Sequence, residues 1–310
     1  MKEFASALLV GMARTQLARR NLLPNHGQST ATLTAEATVP LNEKRELLSR
    51  VAQRHGLKPI LEIGRGIAEL PPDPALEALR HASDPLDMIA RWRRLERYVH
   101  SRHRIVIEEQ SASHVVLRHC SDDPDGPRAE EDALIIGVLA ALAESVGAAE
   151  LTTSILAEGE EQIILANGRF VEPLLPAARG TNRWRFRWRL RESEPDRTGA
   201  VRASEHLTTA RAAVALVGSD PGREWSLSSV AAGLAVSERT LQRRLAAEGA
   251  NFAAVIRSAR VEAAGRMLIG TDHSLAKIGF VCGFSDQPHF TTLFKRQTGL
   301  TPGTYRKSFA

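Results

Sequence analysis

The stretch from Ser226 to Arg296 holds two helix, tight turn, helix patterns on either side of one long apolar-striped helix, and few folds accommodate that arrangement. Ser226 is a side-chain cap for a short helix, Leu227 to Leu234, with Val230, Ala231 and Leu234 on its inner side. A tight turn, Ala235-Val236-Ser237, follows, and Ser237 caps a second helix running from Glu238 to Leu245. Leu241 and Leu245, four apart, face inward there, while Arg239, Gln242 and Arg243 point outward. The second pattern repeats the plan. Leu275, Ile278 and Gly279 sit on a helix that stops at Gly283, and Phe284-Ser285-Asp286 leads into Gln287 to Arg296, with Pro288 in the first turn where its missing N–H does no harm. Phe290, Leu293 and Phe294 turn inward, leaving Gln287, His289, Thr292, Lys295 and Arg296 outside. From small residue to buried anchor is ten positions in the first copy (Ala231 to Leu241) and eleven in the second (Gly279 to Phe290), so a longer second turn is expected.

Between the two, Phe252, Ile256, Ala259, Ala263 and Met267 form one stripe, with Arg257, Arg260, Glu262 and Arg266 mostly off it and Gly270 expected as the stop just past the helix end. A helix from Phe252 to Ile269 would be about 27 Å long at 1.5 Å per residue, close to the ~34 Å repeat of duplex DNA. A rigid rod of that length can hold two helices in successive major-groove turns. The outward residues suit the purpose: arginine offers guanine a two-pronged donor and glutamine pairs with an adenine edge, each good pair adding about 1–3 kcal/mol of discrimination.

These residues resemble the AraC/XylS transcriptional regulators. The matching elements are Leu227-x-x-Val230-Ala231, Val236-Ser237-x-x-x-Leu241-Gln242-Arg243-x-Leu245, Ile278-Gly279-x-x-x-Gly283-Phe284-Ser285-Asp286-Gln287-x-x-Phe290, and Phe294-Lys295-Arg296-x-x-Gly299-x-x-Pro302-x-x-Tyr305-Arg306. The resemblance implies that Arg239, Gln242 and Arg243 read bases in the first half, and that Gln287, Pro288, His289 and Thr292 hold the corresponding places in the second. Thr292 departs from the commoner arginine, and Pro288 has no side-chain donor, which points to weaker readout there.

Charge divides the chain where the patterns do. From Val201 onward there are 14 Lys and Arg against 8 Asp and Glu; before it there are 27 against 28. A basic face that neutralises phosphates releases condensed counterions, so binding should weaken steeply with salt. Arg244, Arg257, Lys295 and Arg296, with the helix N-termini at Ser226 and Ser274, are the expected phosphate contacts.

A length of 310 residues suggests two domains. The polar stretch Glu192 to Gly199 lacks apolar periodicity and reads as a linker. The expected organisation is residues 1–191 as an α+β sensing and dimerisation domain, 192–203 as linker, and 204–310 as an all-α DNA module with two helix-turn-helix units joined by a long linker helix. In that module Ser204 is expected to cap a first helix, Leu207 to Val217.

The first half is mixed. Helices are expected over Phe4 to Arg20, Lys44 to His55, Ala75 to His81 and Pro85 to Tyr98. A hairpin follows from Arg104 to Glu108 and His114 to Arg118, then a very apolar helix from Glu131 to Val146 and strands near Leu151 to Leu156 and Gln162 to Ala166. The apolar residues Leu134, Ile135, Val138, Leu139 and Leu142 read either as a dimer seam or as domain core. Arg183 to Arg191 alternates with period two, placing Trp184, Phe186, Trp188 and Leu190 on one face and arginines on the other. Arg185, Arg187 and Arg189 are thus candidate contacts for an anionic effector, against the plainer reading that they pair with acids such as Glu158, Glu160 and Glu161.

His100, His103, His114, His119 and Cys120 match no familiar metal-ligand spacing and read as ordinary hydrogen-bonded or surface side chains. Gly64-x-Gly66 lacks the third glycine of a phosphate loop. The two cysteines, Cys120 and Cys282, give no disulfide framework. No stretch approaches the ~18 apolar residues of a membrane span, so a cytoplasmic protein without cofactor is expected. The partners expected are double-stranded promoter DNA, a small-molecule effector, RNA polymerase where the outcome is activation, and a second copy of the chain. The rivals are a constitutive DNA binder whose N-terminal half only dimerises, and an enzyme carrying a DNA module. No Gly-x-Ser-x-Gly, His-Glu-x-x-His, deaminase-type or Walker-type motif supports the enzyme.

Overall fold

The computed structural model describes residues 4–22, 38–70, 73–99, 103–121, 126–157, 159–172, 180–191 and 208–309. The linker expected over 192–203, the Ser204 cap, His100 and Glu158 lie outside the described residues. The chain divides into two compact units, Met1–Ser193 and Glu194–Ala310.

The first unit is an α/β region with a sheet. It begins with a short strand β1 (Phe4–Ser6) paired antiparallel to β2 (Thr38–Pro40), so the helix expected from Phe4 starts only at Ala7, as α1 (Ala7–Arg19). Four more helices follow: α2 (Leu41–His55), α3 (Lys58–Gly64), α4 (Pro74–Arg80) and α5 (Pro85–Val99). Asp73 caps α4 by accepting from the backbone N–H of Ala75. Then come β3 (His103–Ser111), β4 (His114–Ser121), α6 (Ala129–Ser145), β5 (Ala148–Ala157), β6 (Glu160–Ala166), β7 (Arg169–Phe170) and β8 (Arg183–Leu190). The last strand inserts between β4 and β5, giving an antiparallel sheet of order β3-β4-β8-β5-β6-β7.

Helix α6 explains the layering. Every residue from Glu131 to Ala143 is buried, as expected of a helix that is apolar all round. Leu134, Ile135, Val138, Leu139 and Leu142 are therefore domain core and not a dimer seam, each at most 2 % exposed. Gly137 lets α3 cross α6 at backbone distance: a Cβ there would stand 2.1 Å from the Leu61 carbonyl oxygen, and one on Gly64 would stand 2.6 Å from the Val138 nitrogen. The glycine at 64 is a helix-crossing residue on α3, and the short 3-10 helix Arg65–Glu69 follows it, which disposes of a phosphate loop.

At the N-terminal end of α6 the interior is ionic. Lys44 of α2 is 1 % exposed, with its Nζ 3.4 Å from Glu131 Oε1, and Arg45 Nε lies 3.3 Å from Glu131 Oε2. Buried His119 places Nδ1 2.8 Å from Asp132 Oδ1, and the Thr181 hydroxyl donates to Asp132 Oδ2 at 2.6 Å. The rings of His103 and His119 meet edge to face at 5.0 Å. Burial, with Lys44 beside them, pushes both imidazoles down to about 3. Two of the ten histidines should therefore keep neutral NMR signatures as the solution is acidified from pH 8 to about 5; a midpoint near 6.5 at either would contradict this burial. In the unfolded chain the same rings protonate near 6.5, so their contribution to stability is complete above that value and is lost as pH falls towards 3. Burial also lifts the Glu96 carboxyl to about 7 and that of Asp132 well above its ordinary range, which acts the opposite way. The net acid loss is consequently steepest below about 4.5, where the unfolded chain has protonated those carboxylates too.

The second unit is helical: α7 (Thr209–Ser219), α8 (Leu227–Gly233), α9 (Glu238–Ala247), α10 (Phe252–Gly270), α11 (Leu275–Val281), α12 (Gln287–Thr298) and α13 (Pro302–Phe309). Helix α7 starts at a Thr208 cap, two residues later than the sequence pattern places it. Its first N–H groups are also held from a distance, by the Glu248 carboxylate on Thr209 N (2.9 Å) and Ala210 N (2.8 Å). Two cores share α10. Val230, Ala231, Leu241, Leu245, Val255 and Ala259 close the first with Ala213 and Val217 of α7. Ala264, Leu268, Ile278, Phe284, Phe290 and Phe294 are among those closing the second. The α10 stripe is wider than its sequence pattern: Val255, Val261, Ala264 and Leu268 are buried, whereas Phe252, Ile256 and Met267 are only partly so. Gly270 is the last helical residue and not a left-handed stop, the end being capped by Thr271, whose hydroxyl donates to the Met267 carbonyl at 2.8 Å.

Candidate nucleic-acid interface

Helices α8 and α9 are joined through residues 234–237, and α11 and α12 through 282–286. Each of the four begins at a side-chain cap. Ser226 accepts from Ser229 N in a reciprocal box, Ser237 from Thr240 N, Ser274 from Lys277 N and Asp286 from His289 N. The first turn bends at Ala235 (φ 55°) and the second at Gly283 (φ 81°).

Anchoring and presentation are separated by face. On α9, Leu241 and Leu245 are buried and Arg239, Gln242, Arg243 and Arg244 are exposed. On α12, Phe290, Leu293 and Phe294 are buried, while Gln287, Pro288, His289, Thr292, Lys295 and Arg296 are exposed. Arg257 on α10 and Ser274 at the head of α11 are half-buried, and Ser226 is exposed. Among the described residues Arg239, Gln242, Arg243, Arg244, Lys295 and Arg296 enter no ion pair with an acid of their own unit, so their donors stay available to an external acceptor. The sequence and the structure thus place the same residues on the open sides of α9 and α12.

Two residues that the sequence pattern marked only as a helix stop and as a side chain off the α10 stripe hold the pairs in place. Arg260, on α10, donates from Nε to the Pro221 carbonyl at 3.2 Å. Gly283 packs onto the same peptide: a Cβ there would stand 2.2 Å from Pro221 O and 2.8 Å from Arg260 Nε. The loop after α7 is thereby locked to the turn before α12, and the conformation at φ 81° is one L side chains rarely adopt. Gly283→Ala combines left-handed strain of about 1–2 kcal/mol with overpacking of about 1–3 kcal/mol. The C-terminal unit should lose that much stability in denaturant unfolding; a wild-type midpoint would show that the contact yields freely. A glycine ending one helix and followed by Phe-Ser was the only trace of this in the sequence.

Cys282 is buried with its Sγ 3.8 Å from Met267 Sδ, and burial pushes the thiol up to about 12, which rules it out as a nucleophile near neutral pH. In the first unit, Arg185 and Arg187 of β8 both reach Glu161 of β6, and Arg189 pairs with Glu150 of β5 at 3.3 Å. These three guanidinium groups on the open side of the sheet are thus matched by carboxylates of β5, the adjacent strand, and of β6, the next one beyond it. Opposite them Trp184, Phe186 and Trp188 are buried, but Leu190 is 48 % exposed at the strand end, contrary to its place in the alternation. His114 bonds Ser111 Oγ (2.6 Å) and Glu109 (2.9 Å). Among the described residues no group of three His, Cys, Asp or Glu side chains could hold a metal ion, and no helix is long and apolar enough to cross a membrane.

Capped helix pairs that bury one face and present the other define a helix-turn-helix protein. The helix-turn-helix domain family model matches residues 230–308. The transcriptional activator NphR of Rhodococcus is 42 % identical over 85 residues, 27 % of this chain and 25 % of that protein. The HTH-type transcriptional activator FapR of Escherichia coli is 33 % identical over 103 residues, 33 % of this chain and 37 % of that protein. Among solved structures, an AraC-type regulator from Chromobacterium violaceum is 28 % identical, with 33 % of this chain and 92 % of that one covered at a TM-score of 0.31. The C-terminal unit is a helix-turn-helix domain of the AraC/XylS type. The match spans only a quarter to somewhat over a third of the two activators' lengths.

Proposed function

We propose that the protein is a sequence-specific transcriptional regulator whose C-terminal unit carries two DNA-reading helix-turn-helix pairs, joined by α10, on one promoter site. The single observation that carries this is the matched pair of open faces on α9 and α12, each based on a buried Leu or Phe row and each lacking internal ion pairs. Arg239, Gln242 and Arg243 read one block of bases; Gln287, Pro288, His289 and Thr292 read the other. Ser226, Arg244, Arg257, Ser274, Lys295 and Arg296 set the register on phosphates. The 19-residue α10 is about 28 Å long by its rise per residue, which suits two successive turns of the major groove.

The N-terminal unit, residues 1–191, responds to a small molecule and pairs two copies of the chain, which biases the population competent to bind DNA. An anionic effector at Arg185, Arg187 and Arg189 has to displace Glu161 and Glu150, so Arg185→Gln with Arg187→Gln would abolish the response if the effector binds there and leave it intact if it binds elsewhere.

The test is selection of bound duplexes from a random pool by the full-length protein at low salt, with and without cell extract as a source of effector. Two short blocks about one helical turn apart are expected, with affinity falling steeply as salt is raised. No enrichment under either condition overturns the reading.

A further inference from the structure

We propose that Glu248 is the positioning residue of the first base-reading helix: by holding the first N–H groups of α7 it fixes the inclination of α9, so the first block is read in full only while this carboxylate is in place. This rests on the reading of α9 as a base-contacting helix. Glu248 caps the C-terminal end of α9. Its two oxygens accept from Thr209 N at 2.9 Å and from Ala210 N at 2.8 Å, at the head of α7. Thr208 accepts from the next, Arg211 N, at 3.3 Å, so the first three N–H groups of α7 are all held by side chains. A negative charge is disfavoured at a helix C-terminus and favoured at an N-terminus. At the end of its own helix Glu248 is therefore misplaced, and the contact with α7 is what favours a carboxylate there. Helix α7 is in turn fixed, since its Ala213 and Val217 belong to the same buried core as Val255 and Ala259 of α10. The carboxylate thus ties the far end of α9 to the frame of the module.

The tether lengthens the base on which α9 stands. The helix has 10 residues and is about 15 Å long. Its buried residues are Leu241 and Leu245, one turn or about 6 Å apart near its middle. Glu248 continues that row one turn further along the same face, at i, i+4 and i+7. The held length becomes about 10 Å, which nearly halves the tilt that a given slack at the anchors allows. Arg239, Gln242 and Arg243 project from the exposed side, where a tilt of the axis becomes a displacement of donors. Recognition geometry has to be kept within about 0.5 Å and 10–20°. Helix α12 is anchored differently. Phe290, Leu293 and Phe294 spread over a wider face, and the rings of Phe284, Phe290, Phe294 and Tyr305 meet in succession at 4.7, 5.6 and 5.1 Å between centroids. The dependence on Glu248 is accordingly confined to the first block.

The test compares full-length wild type, Glu248→Gln and Glu248→Ala on three duplexes: the site that wild type selects from the random pool, the same site with its first block scrambled, and the same site with its second block scrambled. Glu248→Ala should bind the intact site and the second-block-scrambled site about tenfold more weakly than wild type, the equivalent of one lost charge-assisted hydrogen bond. On the first-block-scrambled duplex the two proteins should bind alike, because wild type no longer gains there from a well-placed α9. Glu248→Gln keeps one oxygen that can accept from one N–H and should fall between them. A purely structural role gives a different pattern: a less stable module lowers the folded fraction and weakens all three duplexes by the same factor. That result overturns the proposal, as does unchanged binding to the intact site. The variant with Arg239, Gln242 and Arg243 all changed to Ala separates the two levels of the argument. If it loses the first block while Glu248→Ala keeps it, the positioning role fails and the reading of α9 stands; if it retains both blocks in full, the reading of α9 fails and the proposal with it.

Discussion

Changing Arg239, Gln242 and Arg243 together to Ala is expected to erase one of the two base blocks selected by the protein while leaving the other legible. Each good pair to a base edge is worth about 1–3 kcal/mol of discrimination, so three lost together should lower specific affinity by at least a hundredfold, since 1.4 kcal/mol is tenfold. The fold should tolerate the change. All three side chains are exposed, and α9 is held by Leu241 and Leu245, each at most 1 % exposed, and by the Ser237 cap. Ala is moreover a better helix former than any of the three, so the unfolding midpoint should stay within about 0.5 kcal/mol of wild type or rise. Residual non-specific binding should persist through Arg244, Lys295 and Arg296 but become weaker in salt dependence, because two cations have been removed. Retention of both blocks would show that α9 is not inserted in the groove.

The second large effect is expected in the interior of the N-terminal unit. Glu131→Gln leaves the Lys44 ammonium inside a buried site without its counter-charge. Burial already pushes that ammonium below its ordinary value against the pull of Glu131, and removing one partner of a buried pair costs about 3–5 kcal/mol. For a unit of this size that is a drop in the calorimetric midpoint on the order of 10 °C. Removing the charge on both sides, Lys44→Met with Glu131→Gln, should lose less than Glu131→Gln alone, since no ion is then stranded. The Arg45 contact to Glu131 keeps the double variant below wild type. If the single variant unfolded at the wild-type temperature, the pair would contribute nothing and the ionic interior would be incidental. DNA selection by the same variant should keep both blocks, because all residues proposed to touch DNA belong to the other unit.

Much of the C-terminal unit was legible from local pattern. Capping serines, apolar residues three and four apart, and Pro288 in a first turn are short-range signals that act within one helix, and they mark the outward residues of α9 and α12. Where the pattern misplaced a boundary, a remote group had taken over. Helix α7 begins where Thr208 caps it and where Glu248, far along the chain, reaches its first N–H groups. The end of α10 is closed by Thr271, and Arg306 donates to the carbonyls of Leu268 and His273 beside it.

The first half was harder for the same reason. Alternation along Arg183 to Leu190 announced a two-faced strand, but which acids would meet the arginines depended on β8 inserting between β4 and β5. Period two assigned Leu190 to the apolar side, yet it is 48 % exposed, because β4 stops pairing with β8 at Arg187 and only Ala148 of β5 still faces Leu190 in the sheet.

By itself the sequence determined the residue types, their faces and their caps, because helical and strand periodicity are properties of a few consecutive peptide units. It thereby set the class of the C-terminal domain and the residues it offers outward. Only the tertiary structure decided what α6 is for, since an all-apolar helix can serve as dimer seam or core until its neighbours are known. It alone converted Gly64 and Gly137 into a helix crossing and gathered Lys44, Glu131, His103, His119 and Asp132 into one buried cluster. It alone turned His289 so that its Nδ1 is occupied by Ser285. Those are contacts between positions far apart in sequence, or orientations set by a turn's geometry, and neither leaves a periodic trace in the order of the residues.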